Sequence, residues 1–565
     1  MDNTIWVYNP PSEEACALAR ELGIPLEIAQ ILVNRGIRDP EIAHTFLYGE
    51  LGKLHNPYLM KGMKEAVERI KQAISQGEKI LVFGDYDVDG VLSVVILRRA
   101  LGFLGADVDY FIPDRLKYGY GIKEEFIDIV LEREAGLVIS VDCGIKAVPF
   151  TRRAKVEGID VIITDHHLPG ETLPEAEAIL NPVLEDSGYP DKGLAGIGVV
   201  FKLIQALSEE EEMASQLAHY MKFVSIGTIA DVSELRGENR LFVRNGLEDL
   251  GEDSDIGLSS LLDICGLKGR KVSVGDVGFR IGPRINAAGR MGMADLAVRL
   301  FFSDSWEESV EIASRLDSLN AKRQKVQERT YNQALNMIQS RGLDKRYKFL
   351  ILGCEEWHRG VVGIVASKLK DFFHRPVLLF TYEDEKACGS GRSISEFPII
   401  ECLDECKDLL STYGGHSMAV GCVLPLEKMT VFKENVNAIA NARLSDEDLK
   451  RKIYVDSKIE FSDISSDFLG NYSRLSPFGV GNPTPIFLTK GAEVARQPQR
   501  IKGKHSKFLL KQKGCFFEAL GWDRSDWALE YQRGERIDVA YSLQFSEYLG
   551  ETKMSLSVED IKRQD

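Results

Sequence analysis

The sequence predicts an α/β protein: a parallel-sheet domain, then a second, smaller α/β domain joined to it by a long helix, then a C-terminal β-barrel. Three observations carry this. Between about residues 60 and 230, short apolar runs (KILVF, DVDYFIP, LVISV, DVIIT) alternate with segments of helical period such as VLSVVILRRALGFLG and EEFIDIVLER, the pattern of right-handed crossovers on a parallel sheet. Trp306 to Arg341 keeps apolar residues at three and four spacing without a break, which suits a spacer helix. After residue 453 the runs FLLKQ, FFEALGW, RIDVAYSLQF and MSLSVEDI alternate at the strand period of a Greek-key barrel. The expected boundaries are a helical lead-in over 1–58, the parallel-sheet domain over 59–305, the linking helix over 306–343, the second α/β domain over 344–445 and the barrel over 446–565.

A chain of 565 residues is too long for one core, and 44% hydrophobic with 28% charged residues is ordinary for a soluble globular protein. No apolar run reaches the roughly 18 residues of a membrane span. Met1 to Tyr8 lacks the basic start and apolar centre of a secretory signal, so a cytoplasmic location is expected. The nine cysteines show no CxxC pair, and reduced thiols are the default reading. A net charge of -16 argues against a general polyanion binder, so any nucleic-acid contact requires local basic patches.

The lead-in contains IPLEIAQILVNRGIRDPEIAHTFL, helical in period with Gly36 and Pro40 as stops, and carries no evident chemistry. The chemistry starts at KILVFGDYDVDG. A buried strand ends at Gly84, and the turn behind it holds Asp85, Asp87 and Asp89 before a helix resumes. One Asp suffices to cap that helix; three within five residues repel one another unless a cation or protons neutralise them.

Other segments stop in the same way. LVISV is followed by Asp142, Cys143 and Gly144; DVIIT by Asp165, His166 and His167; FVSIGTIA by Asp231. Each residue alone reads equally as a cap or a packing group. Together they fall at the carboxyl edge of one parallel sheet, where α/β folds bind ligands. Carboxylates with imidazoles suit Mn²⁺ or Mg²⁺, and no cysteine cluster competes for zinc. The matching reaction class is phosphodiester hydrolysis.

Four stretches bear on the substrate. FIPDRLKYGYG places Arg115 and Lys117 beside Tyr118 and Tyr120, a combination able to grip a phosphate and stack a base, or else a solvated loop with packing tyrosines. GDVGFRIGPRINAAGRM carries Arg280, Arg284, Asn286 and Arg290 with no acidic partner after Asp276. Such arginines await an anion or stand in open water. A second α/β unit from Lys348 contains GSGRS and YGGHSMAVG; Ser390, Arg392, Gly414, Gly415 and His416 suit a terminal phosphate, with the glycines leaving amides free. After a charged helical connection at about 423–452, the barrel carries Arg496, Arg500, Lys502, Lys504, His505 and Lys507 as a basic stripe, or as a solvated hairpin.

In this order and at these spacings, DYDVDG, VDCG, TDHH and the Asp of IADVSEL resemble the four motifs of the DHH phosphoesterase superfamily. GGHSMAVG is similar to the GGHxxAxG of the DHH-associated domain. SPFGVGNPTPIFL resembles the PFGxGNPxPxF signature of the OB-like domain of the RecJ exonucleases, and the likeness to that family spans about residues 60 to 560. The resemblance implies two divalent cations, Mn²⁺ or Mg²⁺. Asp87 and Asp142 would hold one and Asp89, Asp142, His166 and Asp231 the other, with Asp142 bridging and Asp85 supporting. His167 would orient either His166 or the phosphate. Ser390, Arg392 and Arg115 would take a 5'-terminal phosphate. It further implies a 5'-to-3' exonuclease on single-stranded DNA that releases nucleoside 5'-monophosphates in repair and recombination. A helicase and a single-strand-binding protein would be partners of a monomer. A DHH-family small-molecule or oligoribonucleotide phosphoesterase would share every metal ligand and stays open, although it has no evident use for residues 453–565.

Overall fold

The structure, a computed structural model, describes residues 4–119, 121–208, 211–253, 255–548 and 551–564. The first domain is a five-stranded, all-parallel sheet in the order Val108–Phe111, Ile80–Gly84, Leu137–Val141, Asp160–Thr164, Ala178–Leu180. Strand residues alternate between two cores. Ile80, Val82, Ile139 and Ile162 pack under the helices Val88–Phe103 and Gly196–Leu207, while Leu81, Phe83, Val138 and Ile163 pack against Phe126, Ile127 and Phe150. The register sets Gly84 beside Val141 and Val141 beside Thr164, so Asp85, Asp142 and Asp165 leave the sheet in one row. That row is why residues far apart in sequence meet.

The helix Trp306–Ser340 leaves this domain with Ile312 and Leu316 in the first core and arrives with Ala334 and Ile338 in the core of the second domain. The second domain is a mixed sheet in the order Thr412–Gly415, Ala419–Pro425, Lys386–Arg392, Val377–Glu383, Leu350–Cys354, whose last two strands are parallel. The charged helical connection expected at about 423–452 begins as the end of the strand Ala419–Pro425 and continues as the helix Met429–Arg443. That helix buries Phe432, Val436 and Ala440 in the core of the second domain.

The C-terminal domain closes into a barrel: five strands of a seven-stranded sheet, Phe487–Val494, Arg536–Tyr548, Glu551–Arg563, Cys515–Gly521 and His505–Gln512, follow one another round it, and Phe487–Val494 returns to pair with His505–Gln512. The lead-in is helical over Glu13–Leu22, Leu26–Asn34 and Pro40–Tyr48 and departs from that character only at its start. Ile5–Tyr8 is a strand, paired in parallel with Lys452–Val455, and the helices behind it bury Ile28, Leu32 and Leu47 in the same core as Phe468, Phe487 and Tyr541 of the barrel. The polypeptide's two ends therefore share one core. No helix among the described residues is long and apolar enough to cross a membrane.

Candidate active site

Asp87 is the N-cap of the helix Val88–Phe103 and accepts a hydrogen bond from the Gly90 amide, so capping and a second role coexist in one carboxylate. Asp89, in the first turn of that helix, is fully buried. Both of its oxygens accept backbone amides from the start of the helix Gly196–Leu207: Gly196 at 2.8 Å and Ile197 at 2.7 Å. Asp142 sits in the left-handed region at φ 58°, a conformation that few residues other than Gly, Asn and Asp tolerate. Asp231 is the last residue of the helix Glu211–Asp231, so the fourth segment is a helix end rather than a strand end.

Ligand-type atoms converge here in three overlapping groups: Asp85, Asp87 and Asp142; Asp142, His166 and His167; Asp89, His166 and Asp231. Nε2 of His166 lies 3.1 Å from Oδ1 of Asp142 and 4.0 Å from Oδ2 of Asp89. Among the described residues, neither Asp142 Oδ1 nor His166 Nε2 has a hydrogen-bond partner, although both atoms are shielded from solvent. Orphaned acceptors facing one another are costly unless something positive lies between them.

The electrostatics agree. Burial, then the neighbouring Asp231 and Asp87, holds the Asp89 carboxyl well above the usual range; burial and the charges of Asp89, Asp87 and Asp85 do the same to Asp142. Asp87 is raised by burial and by Asp231. Burial pushes His166 down, leaving the neutral imidazole that a cation requires. Beside this set, Asp165 is lowered: burial opposes ionisation, but the His167 ring at 2.8 Å and the amides of Ile145 and His167 outweigh it. His167 is raised in turn by Asp165 against its own burial, and its ring packs edge-on to His166 at 4.4 Å. Asp165 thus fixes His167, and His167 backs His166.

Across the cleft, Arg392 donates to Ser390 Oγ at 3.3 Å, and both stand over Gly363 of the helix Arg359–Phe373. A side chain at Gly363 would come within 2.8 Å of Ser390 Oγ and 3.2 Å of Arg392. His416 closes a cavity of about 240 Å³ against Gly144, Asp165 and His167, so the GGH motif of the second domain reaches the rim of the first. Arg290 donates to the Gly360 carbonyl at 3.0 Å and ties the two domains together beside it.

Several expectations need correction. Arg280 and Arg284 do have acidic partners: Arg280 pairs with Asp276 at 3.1 Å, and Arg284 pairs with Asp317 of the long helix at 2.8 Å. The amides of GSGRS are not free, because residues 389–391 lie mid-strand with a neighbour on each side; Gly389 and Gly391 are small because Phe380 and Ile399 press on them. Gly414 and Gly415 do lie on an edge strand. Tyr118 packs edge-on against Phe126 at 4.9 Å. The side chain of Arg115, and Tyr120 entirely, lie outside the described residues. Lys507 is held by Glu518 at 2.7 Å, whereas Lys502 and Lys504 stand exposed in the turn between two barrel strands.

Two contributors escape a reading of motifs. Gly196 must be glycine, since a Cβ there would fall 2.6 Å from Asp142 Oδ1. The buried side chain of Asn239 donates to the carbonyls of Gly193 and Glu234, joining the loop before Gly196 to the loop after Asp231. The only sequence signal for the first is the small-residue run LAGIG at a helix start.

A parallel sheet with this rim, matched over residues 79–228 by the model of the DHH family N-terminal domain, defines a DHH-family protein. The DHHA1 domain matches residues 346–442 and the RecJ OB domain residues 455–560. The chain is 38% identical over 558 residues to the single-stranded-DNA-specific exonuclease RecJ of Bacillus subtilis (strain 168), covering 98% of this chain and 70% of that protein. It is 32% identical over 572 residues to the RecJ of Escherichia coli (strain K12), covering 97% of each. The crystal structure of RecJ in complex with Mn²⁺ from Thermus thermophilus superposes with a TM-score of 0.83 at 32% identity, covering 100% of this chain and 80% of that one. The chain belongs to the RecJ family of single-stranded-DNA-specific exonucleases.

Proposed function

We propose that the chain degrades single-stranded DNA from its 5' end, releasing nucleoside 5'-monophosphates, with two divalent cations, Mn²⁺ or Mg²⁺, at the sheet rim. The observation that carries this is the pair of shielded, partnerless acceptors, Asp142 Oδ1 and His166 Nε2, inside a ring of buried carboxylates. Oxygen donors with one neutral imidazole fit these hard cations. Asp87 and Asp142 would hold one ion, and Asp89, Asp142, His166 and Asp231 the other, with Asp85 in support. Two such ions together supply an activated water, a clamp on the scissile phosphate and stabilisation of the leaving oxygen.

The remaining residues bind and orient. His167, fixed by Asp165, holds His166 in place. Ser390 and Arg392, with Arg115, would take the 5'-terminal phosphate, and His416 with Gly414 and Gly415 would wall the terminal nucleotide. Lys502 and Lys504 would follow the strand along the barrel by charge. Repair and recombination, working with a helicase and a single-strand-binding protein as a cytoplasmic monomer, is the setting this activity fits. The test is digestion of a single strand labelled at one end, with and without a 5' phosphate, in Mn²⁺. Early release of a 5' label as mononucleotide is expected, and early release of a 3' label would reverse the direction.

A further inference from the structure

We propose that Phe279 stacks on a base of the bound single strand beside the metal centre, an inference that rests on the nucleic-acid reading above. The stretch Val277–Ile281 is a π-helical turn in which Val277 and Ile281 are fully buried while Phe279 between them is 83% exposed. A single exposed apolar residue is ordinary on a protein surface. Its position here is not ordinary. π-turns are rare and concentrate at functional sites. Gly282, the residue that follows the turn, packs against Ala230, the neighbour of Asp231, where a Cβ would sit at an ordinary contact distance of 3.4 Å from the alanine methyl. At the far end of the same helix, Gly289 rests on the carbonyl of Tyr86 in the acidic turn. The segment that presents the ring is therefore pinned to two arms of the metal site.

Two further apolar side chains are exposed at the loop that follows Asp231 and at the barrel loop bonded to it. Val232, directly after Asp231, is 62% exposed and held at φ 69°. Val480, on the barrel loop whose carbonyl accepts from the Leu235 amide at 2.8 Å, is 45% exposed. Apolar side chains are thus exposed on the loop after Asp231 and on the barrel loop bonded to it, and the π-turn packs on the helix that ends at Asp231. Arg280, beside the ring, is already held by Asp276 and by the Cys265 carbonyl. An aromatic face with its neighbouring cation engaged selects a base over a phosphate. Stacking accepts every base, which an enzyme that must pass through any sequence requires.

The test measures kcat/KM for wild type, Phe279→Ala and Phe279→Trp on strands carrying one abasic site at successive positions. Loss of one stacked base is expected to lower wild-type kcat/KM about tenfold at one position. Phe279→Ala should show about the same loss on the intact strand and no further loss at that position, while Phe279→Trp restores both the rate and the position dependence. Losses that multiply at every position would overturn the inference by making the effect structural. A Phe279→Ala protein equal to wild type on every strand would assign the ring to a protein partner and overturn it equally. A wild-type protein that degrades no strand would instead sink the nucleic-acid reading itself.

Discussion

At the scale of single residues, Asp142 gathers the most consequences. Its carboxylate is buried, strained at φ 58° and crowded by Asp85, Asp87 and Asp89, so without a cation it works against the fold. Asp142→Asn removes that repulsion together with the carboxylate proposed to bridge the two ions. The expected result is a fall in turnover of at least about a thousandfold, by analogy with the loss of a single preorganised electrostatic group, with unchanged or higher thermal stability in EDTA. Wild type should gain about 2.7 kcal/mol of stability at a hundredfold excess of Mn²⁺ over its Kd, and the variant should gain none. Retention of a tenth of the rate contradicts the bridging role. Arg392→Ala spares the metals, and the expected loss is about tenfold in KM for 5'-phosphorylated strands, from the removal of a charge-assisted hydrogen bond. The ratio of KM for phosphorylated and unphosphorylated ends reads it directly. Asp87, Asp142 and His166 were legible in the sequence because each follows a short apolar segment by one or a few residues, and a parallel register puts such positions in one row. The pairing of Arg284 is not legible because Asp317 lies on another element and nothing local announces it, whereas Arg280 takes Asp276, four residues before it in the same stretch.

Among the elements, the helix Gly196–Leu207 does most to shape the site while contributing no ligand-type side chain. Its first two amides hold both oxygens of Asp89, and its positive end lies where the buried carboxylates cluster. Asn239 sets the angle of that helix against the loop after Asp231. Gly196→Ala would drive a methyl group into Asp142, and Asn239→Ala would leave the Gly193 and Glu234 carbonyls without their donor. Each change should weaken Mn²⁺ binding by about 10- to 100-fold, the usual cost of losing an outer-shell support. Titration of Mn²⁺ by electron paramagnetic resonance measures this without turnover. A drop in Tm with unchanged Mn²⁺ affinity would reduce Asn239 to a packing residue. Spacing revealed this helix poorly, because residues 196–204 are buried almost all round and lose the amphipathic period that a surface helix displays.

Over the whole molecule, the unexpected feature is that the N-terminal segment, the barrel and the catalytic domain all meet at one side chain, Arg240. Its guanidinium is 2% exposed, lies 3.7 Å from the centroid of Phe46, and donates to the carbonyls of Phe46, Arg474, Ser476 and Pro477. Burial, helped by Arg244 and Arg35, pushes its pKa down to about 9, and no carboxylate is among its bonded partners. The charge is held by carbonyl dipoles and a ring face alone. Two of those carbonyls, Ser476 and Pro477, open the SPFGVGNP signature, and Arg474 lies just before it, so one role of that motif is to seat the barrel on the catalytic domain. Arg240→Ala strips donors from buried carbonyls and should cost at least about 3 kcal/mol at this junction. Arg240→Lys should fail to rescue it, since one ammonium cannot span acceptors arranged for a planar fork. The expected readout is early proteolytic cleavage between the catalytic domain and the barrel. Turnover of a 5'-phosphorylated dinucleotide should persist while that of long strands falls, because the metal ligands stay in place and only the path to the barrel is lost. Equal protease resistance in Arg240→Ala and wild type would show that the shared core of the lead-in and barrel, not this arginine, fastens the parts.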